Sequence, residues 1–363
     1  REARLPPFFI FSRDLFSVFF YNNIVKWLYM KITFFEIKEW EQEYLKNKLN
    51  NVEAVFFAEK LSLENIDLAK DADVVSVFID SQVTKEIIDA LPNLKMVATR
   101  STGFDHVDVT FCQEKGIAVC NVPHYGDNAV AEYAFALILD LSRKIHQSIQ
   151  EVRDGGFSFE GLTGFDLKNK TLGIVGLGNI GQHVARIAKG FEMNILGFDV
   201  HEDKKLAKKL DFKYVLLEDL LKNSDIISLH VPYNEHTHHL INAQNIGLIK
   251  KGAYLINTSR GGIIETNALV RALANRAIAG AGLDVLEEEK FIKEEIHLLS
   301  KESLVEADLR VILENHILME QENVIITPHN AFNSREALEK ILETTIENIE
   351  GFVGGKIVNT VKV

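Results

Sequence analysis

The segment Thr171-Leu-Gly-Ile-Val-Gly-Leu-Gly-Asn-Ile-Gly181 constrains the chain more than any other. An apolar run, Leu172 to Val175, feeds into Gly176-x-Gly178-x-x-Gly181. A helical pattern follows, with Ile180, Val184, Ile187 and Ala188 on one face. A second apolar run, Asn194 to Phe198, then ends on Asp199, eighteen residues after Gly181. Strand, glycine turn, helix, strand and acid in this order predict a βαβ unit that holds a dinucleotide. Gly176 permits the tight turn, Gly178 lets the backbone approach a pyrophosphate, and Gly181 lets the helix sit close on the strand. Asn179 and Ile180 open the helix, whose free N–H groups and partial positive charge suit phosphates. Asp199 can accept hydrogen bonds from both hydroxyls of an adenine ribose and would repel a 2′-phosphate. That predicts NAD as the cofactor rather than NADP. A glycine triplet alone is weak evidence, because ordinary strand–turn–helix units carry it; here the whole unit surrounds it.

The chain has 363 residues, enough for two domains with sizeable cores. Its hydrophobic content of 47% and charged content of 25% are ordinary for a globular protein. A net charge of −12 argues against a nucleic-acid partner, which wants a basic face. The two cysteines, Cys112 and Cys120, fit no common zinc spacing and need not pair, so no metal and a reducing, cytoplasmic setting are expected. Residues 1–29 are rich in Phe, Tyr, Ile and Leu without a clear period, and look foreign to the rest. Arg13 and Asp14 interrupt the apolar stretch, against a signal peptide or a membrane span. The expectation is an upstream extension, with the working protein starting at Met30.

From Met30 onward strands and helices alternate, which predicts an α/β fold with parallel sheets. Strands are expected at Ile32–Ile37, Glu53–Phe57, Val74–Phe78, Met96–Thr99 and Ile117–Cys120, with helices such as Glu39–Leu49 and Lys85–Leu91 between them. One long apolar helix is expected over about Ala129 to Ile149. Further strands are expected at Ile195–Phe198, Ile226–Leu229, Tyr254–Asn257, Ile278–Leu283 and Val324–Thr327. The glycine turn sits in mid-chain, so a separate α/β domain precedes it. The final helix, roughly Ser334 to Phe352, has no sheet left to complete beside the turn and is expected to return to that first domain. The boundaries read as 30–126 with 329–363 for a substrate domain, and 127–328 for a cofactor domain inserted into it. Residues 290–323 are acid-heavy and helical in pattern, an expected inserted loop with no visible chemistry.

Reacting groups should lie at the carboxyl ends of strands, facing the cofactor. Arg260 follows Tyr254–Asn257, Glu289 follows the strand ending at Asp284, and His329 follows Val324–Thr327. Singly each has a bland reading: a surface charge, a solvated face, a packing residue. Together they make a device. Arg binds a carboxylate through two parallel hydrogen bonds, His moves a proton near neutral pH, and Glu beside His stabilises the imidazolium. Reduction of a 2-keto acid needs those parts and a hydride. The cluster His236, His238 and His239 could suggest a metal, but no Cys or acidic ligand set accompanies it, and an ordinary loop near the cofactor is expected.

The sequence resembles the D-isomer-specific 2-hydroxyacid dehydrogenase family over nearly everything from Met30. The resemblance rests on Thr99-Arg-Ser-Thr-Gly-Phe-Asp-His-Val-Asp108, Asn121-Val-Pro-His-Tyr-Gly-Asp-Asn-Ala-Val-Ala-Glu132, the glycine turn, His230-Val-Pro232, Asn257-Thr-Ser-Arg-Gly261, Gly282-Leu-Asp284 and Thr327-Pro-His329. It implies two Rossmann-like or flavodoxin-like domains with the catalytic residues in the cleft between them. It implies Arg260, Glu289 and His329 as the catalytic set, and the 29-residue step from Arg260 selects Glu289 over its neighbours. It also implies substrate-carboxylate contacts at Ser101, Thr102 and Gly103, a pocket tyrosine at Tyr125, and cofactor contacts at Ile180, Val231, Pro232, Thr237, Thr258, Ser259 and Asp284. Homodimerisation through the cofactor domain is implied as well. Lys290 stands where the family commonly has Pro, and the stretch from Glu289 to His329 is longer than usual. Phe332 resembles the D-lactate dehydrogenase branch, which makes pyruvate to D-lactate the expected reaction. Glycerate or phosphoglycerate chemistry is the enzymatic alternative. An NAD-sensing corepressor, which shares fold and trio, is the binding-protein alternative.

Overall fold

The computed structural model describes residues 30–49, 52–289 and 309–361. The expectation for residues 1–29, and that for 290–308 of the insertion, lie outside the described residues. The chain divides into two compact units, one ending at Tyr125 and resuming at Glu339, the other Gly126–Leu338.

In the first unit the elements are β1 (Lys31–Phe34), α1 (Glu39–Lys48), β2 (Glu53–Phe56), β3 (Val74–Val77), α2 (Lys85–Asp89), β4 (Met96–Thr99), α3 (Val109–Glu114) and β5 (Ala118–Cys120). All strands run parallel in the order β2-β1-β3-β4-β5. Helices cover both faces, so the central strands β3 and β4 are buried at every position and read as continuous rather than alternating apolar runs. The closing helix α11 (Arg335–Val353) lays Leu342, Ile346, Ile349 and Val353 against Ile32, Phe34, Met96 and Ala98 of this sheet. Its Asn348 donates to the Asn121 carbonyl at 2.7 Å, fixing the exit from β5.

The second unit holds α4 (Asp127–Arg143), α5 (Ile145–Arg153), β6 (Thr171–Val175), α6 (Asn179–Gly190), β7 (Asn194–Phe198), α7 (Lys204–Leu210), β8 (Lys213–Tyr214), α8 (Leu217–Asn223), β9 (Ile226–Leu229), β10 (Ala253–Asn257), α9 (Thr266–Ala274), β11 (Ile278–Leu283), α10 (Leu309–Met319) and β12 (Val324–Ile326). Its sheet is parallel throughout, in the order β12-β11-β10-β9-β6-β7-β8. Strand order reverses between β6 and β9, and that switch point is where ligands bind in such sheets.

One sequence expectation changes, and one strand is added. The long helix is two helices: Lys144 takes a left-handed conformation (φ 53°), and the Asp140 carboxylate accepts the His146 N–H at 2.9 Å to start α5. Apolar side chains continue through the break, so hydropathy could not show it. The two-residue strand β8 was missed because it is too short to carry a period. The second compact unit runs to Leu338, and the segment after β12 is tied to Asp284. Among the described residues no helix is long and apolar enough to cross a membrane.

Candidate active site

The turn between β6 and α6 is built as its glycines require. Gly176 has φ +93°, a conformation L side chains rarely adopt, and a Cβ there would collide with the His230 carbonyl. At Gly181 a Cβ would collide with the Gly176 carbonyl, so only glycine lets α6 close on the turn. Gly178 is exposed, with open space where a side chain would stand. Asn179 and Ile180 follow as the first residues of α6. Asp199, at the end of β7, accepts the Leu177 N–H at 2.7 Å and the His201 N–H at 2.9 Å. Its carboxylate is thereby held against the turn, with lone pairs left for ribose hydroxyls.

The other expected cofactor positions line the carboxyl ends of neighbouring strands. Val231 and Pro232 follow β9, Thr258 and Ser259 follow β10, and Asp284 follows β11. Two buried polar atoms here, Thr258 Oγ1 and His230 Nδ1, have no hydrogen-bond partner. A buried polar atom without a partner is costly, and a bound polar ligand would relieve it. Open space at Gly178, the fixed Asp199 and these orphaned atoms all fit a dinucleotide. Thr237 differs: its hydroxyl donates to the Pro232 carbonyl at 2.6 Å and accepts the Asn234 N–H at 2.8 Å, so it braces its own loop. His230 was not singled out from sequence. Burial pushes its imidazolium down to about 3, and its Nε2 pairs with the Ser228 hydroxyl at 2.8 Å.

Arg260, Glu289 and His329 stand in the loops after β10, β11 and β12, three adjacent strands. His329 Nδ1 lies 2.7 Å from Glu289 Oε1. A carboxylate only accepts, so Nδ1 carries the proton and Nε2 is the nitrogen left for chemistry. His329 itself is left-handed (φ 52°), with its N–H on the Asp284 carbonyl at 2.8 Å. The Asp284 carboxylate accepts from Thr327 Oγ1, Asn330 N and Ala331 N, bracketing the histidine on both sides. Burial raises the Asp284 carboxyl above its usual range, and those donors pull it back. Arg260 is half-buried; its Nη1 donates to the Ser259 carbonyl at 2.8 Å, and its own carbonyl accepts from Asn257 Nδ2 at 2.8 Å. The Phe332 ring stands edge-on to His329, centroids 6.5 Å apart.

In the first unit Ser101, Thr102 and Gly103 form the loop after β4. Among the described residues none of their N–H groups meets an acceptor, while the Ser101 hydroxyl donates to the Gly103 carbonyl at 2.6 Å. Arg100, not singled out from sequence, precedes this loop and ties it to the segment after β1. Its buried guanidinium donates to the Phe35 and Glu36 carbonyls at 2.6 and 2.9 Å, and burial lowers it to about 10. Tyr125 is half-buried at the end of this unit. Of the histidine cluster, His239 pairs with Glu287 at 2.7 Å and His238 with the Tyr233 hydroxyl at 3.0 Å. Among the described residues no group of His, Cys, Asp and Glu could hold a metal.

A doubly wound parallel sheet with a dinucleotide turn at its switch point, and a histidine–carboxylate pair on the same edge, defines a nucleotide-dependent oxidoreductase. Comparison with known proteins narrows the class. Residues 135–331 match the model for the D-isomer specific 2-hydroxyacid dehydrogenase NAD binding domain. A 2-hydroxyacid dehydrogenase homolog of Zymomonas mobilis is 37% identical over 332 residues, 90% of this chain and 98% of that protein. The glyoxylate reductase of Thermococcus litoralis is 36% identical over 299 residues, 80% of this chain and 84% of its own. The crystal structure of D-lactate dehydrogenase from Aquifex aeolicus, complexed with NAD and lactic acid, superposes with a TM-score of 0.80 at 35% identity, covering 90% of this chain and 96% of that one. The chain belongs to the D-isomer-specific 2-hydroxyacid dehydrogenase family. It is an NAD-dependent oxidoreductase acting on 2-hydroxy acids.

Proposed function

We propose that the chain reduces pyruvate to D-lactate, with Arg260, Glu289 and His329 as its catalytic set. The observation that carries this is the 2.7 Å bond between His329 Nδ1 and Glu289, which leaves Nε2 to serve the substrate. NADH, when bound at the glycine turn, would supply the hydride for the carbonyl carbon. His329 gives its Nε2 proton to the carbonyl oxygen, so hydride and proton together make the alcohol. Glu289 orients the ring and balances its charge. Arg260 takes the substrate carboxylate through paired hydrogen bonds and polarises the carbonyl. In the first unit, Ser101, Thr102 and Gly103 through their N–H groups, and Tyr125, are the substrate-binding residues that the resemblance supports. Gly176 to Gly181 and Asp199 take the pyrophosphate and ribose, Val231, Pro232, Thr258, Ser259 and Asp284 complete the cofactor contacts, and Thr237 braces the loop beside them.

Phe332, edge-on to the histidine, favours a small side chain on the keto acid. Glyoxylate is the second reading, favoured by the likeness to a glyoxylate reductase. Loss of NADH absorbance with pyruvate, glyoxylate, hydroxypyruvate, phenylpyruvate and oxaloacetate separates these. Pyruvate is expected to give the highest kcat/KM; a tenfold advantage for any other acid sinks the proposal.

We also infer a homodimer formed through the cofactor unit. Helix α5 buries none of its residues, and Ile145, Ile149 and Val152 stand exposed on one face. Beyond it Phe157 and Phe159 are 94% and 90% exposed. Apolar exposure of this kind marks an interaction surface, and the resemblance supplies a second copy as its occupant. A cytoplasmic location is supported by two buried free thiols, both pushed up to about 11 by burial.

A further inference from the structure

We propose that His239 and Glu287 form a second histidine–carboxylate couple, one that positions Glu289 and Arg260 instead of meeting substrate. The inference rests on the reading of Arg260, Glu289 and His329 as the catalytic set. Glu287 and Glu289 flank Glu288, whose left-handed backbone (φ 56°) lies between two carboxylates that serve different histidines. Glu289 takes His329, while Glu287 Oε1 takes His239 Nε2 at 2.7 Å. The other oxygen of Glu287 accepts from Thr266 Oγ1 at 2.7 Å and Thr266 N at 3.3 Å. Its backbone carbonyl accepts from Asn315 Nδ2 at 2.8 Å, and Asn315 is fully buried in α10. Glu287 is therefore fixed from three directions, two residues ahead of the carboxylate that holds His329.

His239 is fixed as firmly. Its N–H donates to the Gly262 carbonyl at 2.8 Å and its carbonyl accepts from Asn242 Nδ2 at 2.8 Å. Its ring stacks on His238 at 3.8 Å. Gly262 is two residues beyond Arg260, and Gly261 lies so close to Leu286 and Glu287 that a Cβ there would collide with their backbones. The Arg260–Gly262 loop is thus clamped, with Glu287 on one side and His239 on the other, and the His239–Glu287 hydrogen bond closes the clamp. His239 also ends the loop that begins at Pro232. Catalytic groups must be held within about 0.5 Å of productive geometry, and a shift of about 1 Å costs about a hundredfold in rate. The couple supplies that constraint to two of the three catalytic residues without touching the third.

The test uses the full chain with His239→Ala, His239→Gln and Thr266→Val. Steady-state kinetics on the preferred keto acid, NADH titration by fluorescence and thermal unfolding are measured for each. His239→Ala is expected to lower kcat about ten- to a hundredfold and raise the keto-acid KM severalfold, with NADH affinity held within about twofold. His239→Gln, whose amide N–H can reach Glu287, is expected to recover kcat to within about threefold of wild type. Unchanged kcat in His239→Ala overturns the proposal, as does equal loss in the Ala and Gln variants. If His239→Ala does not fold, Thr266→Val carries the test: it removes one donor to Glu287 at constant volume, and unchanged kcat there also overturns the proposal. His329→Gln runs alongside. Substantial turnover in that variant would refute the catalytic set itself, a result separate from any outcome at His239.

Discussion

His329 occupies a left-handed backbone conformation that costs a non-glycine residue about 1–3 kcal/mol. The conformation persists because Asp284 accepts the N–H groups of the next two residues, Asn330 and Ala331. Replacing His329 with Gln is expected to lower kcat about 10²- to 10⁴-fold while leaving NADH affinity nearly unchanged by fluorescence titration. His230 gives a pH prediction. It is held down to about 3 by burial, whereas an unfolded histidine binds its proton near 6.5. The unfolded state therefore holds the extra proton between about pH 3 and 6.5, and stability rises with pH across that window. The contribution is complete above about 6.5 and is lost progressively as pH falls toward 3. Thermal midpoints should fall more steeply from pH 7 to pH 5 in wild type than in His230→Asn; parallel curves would contradict this. Residue types and spacing singled out Arg260, Glu289 and His329, because each follows a recognisable apolar strand. Glu287 follows the same strand as Glu289, so residue type does not separate them; the resemblance's 29-residue step from Arg260 does, and only the fold shows Glu287 paired with His239.

At the scale of elements, the strands were the most legible part. Met96–Thr99, Ile226–Leu229 and Ile278–Leu283 stand where their apolar runs do, because a strand covered on both faces writes itself as a continuous apolar word. Helix ends were less legible. The break at Lys144 depends on a left-handed lysine and an Asp140 cap, neither of which disturbs hydrophobic content. Helix α11 shows what a correctly placed element contributes: Leu342 and Ile349 are fully buried against the first sheet. Leu342→Ala is expected to cost about 2–5 kcal/mol in urea unfolding, through lost burial and the cavity left behind. A loss under about 1 kcal/mol would show that α11 is not part of that core.

For the whole molecule, the proposed dimer rests on the exposed face of α5 and on the exposed Phe157 and Phe159. Ile149→Glu combined with Phe159→Ser should halve the mass seen by light scattering, and the wild-type thermal midpoint should rise with protein concentration. A wild-type monomer at every concentration would refute the dimer. Sequence alone determined the cofactor turn and the alternation that makes parallel sheets, and it singled out Arg260, Glu289 and His329 for the proposed chemistry. Those are local matters: a glycine's missing Cβ, an apolar run and a side chain's chemistry travel with the residue. Tertiary structure decided the strand order, the clamp around Arg260, the pairing of each glutamate with its own histidine, and the dependence of His329 on Asp284. Each of these joins groups far apart in the chain, and only the folded packing of strands brings their hydrogen-bond partners within reach.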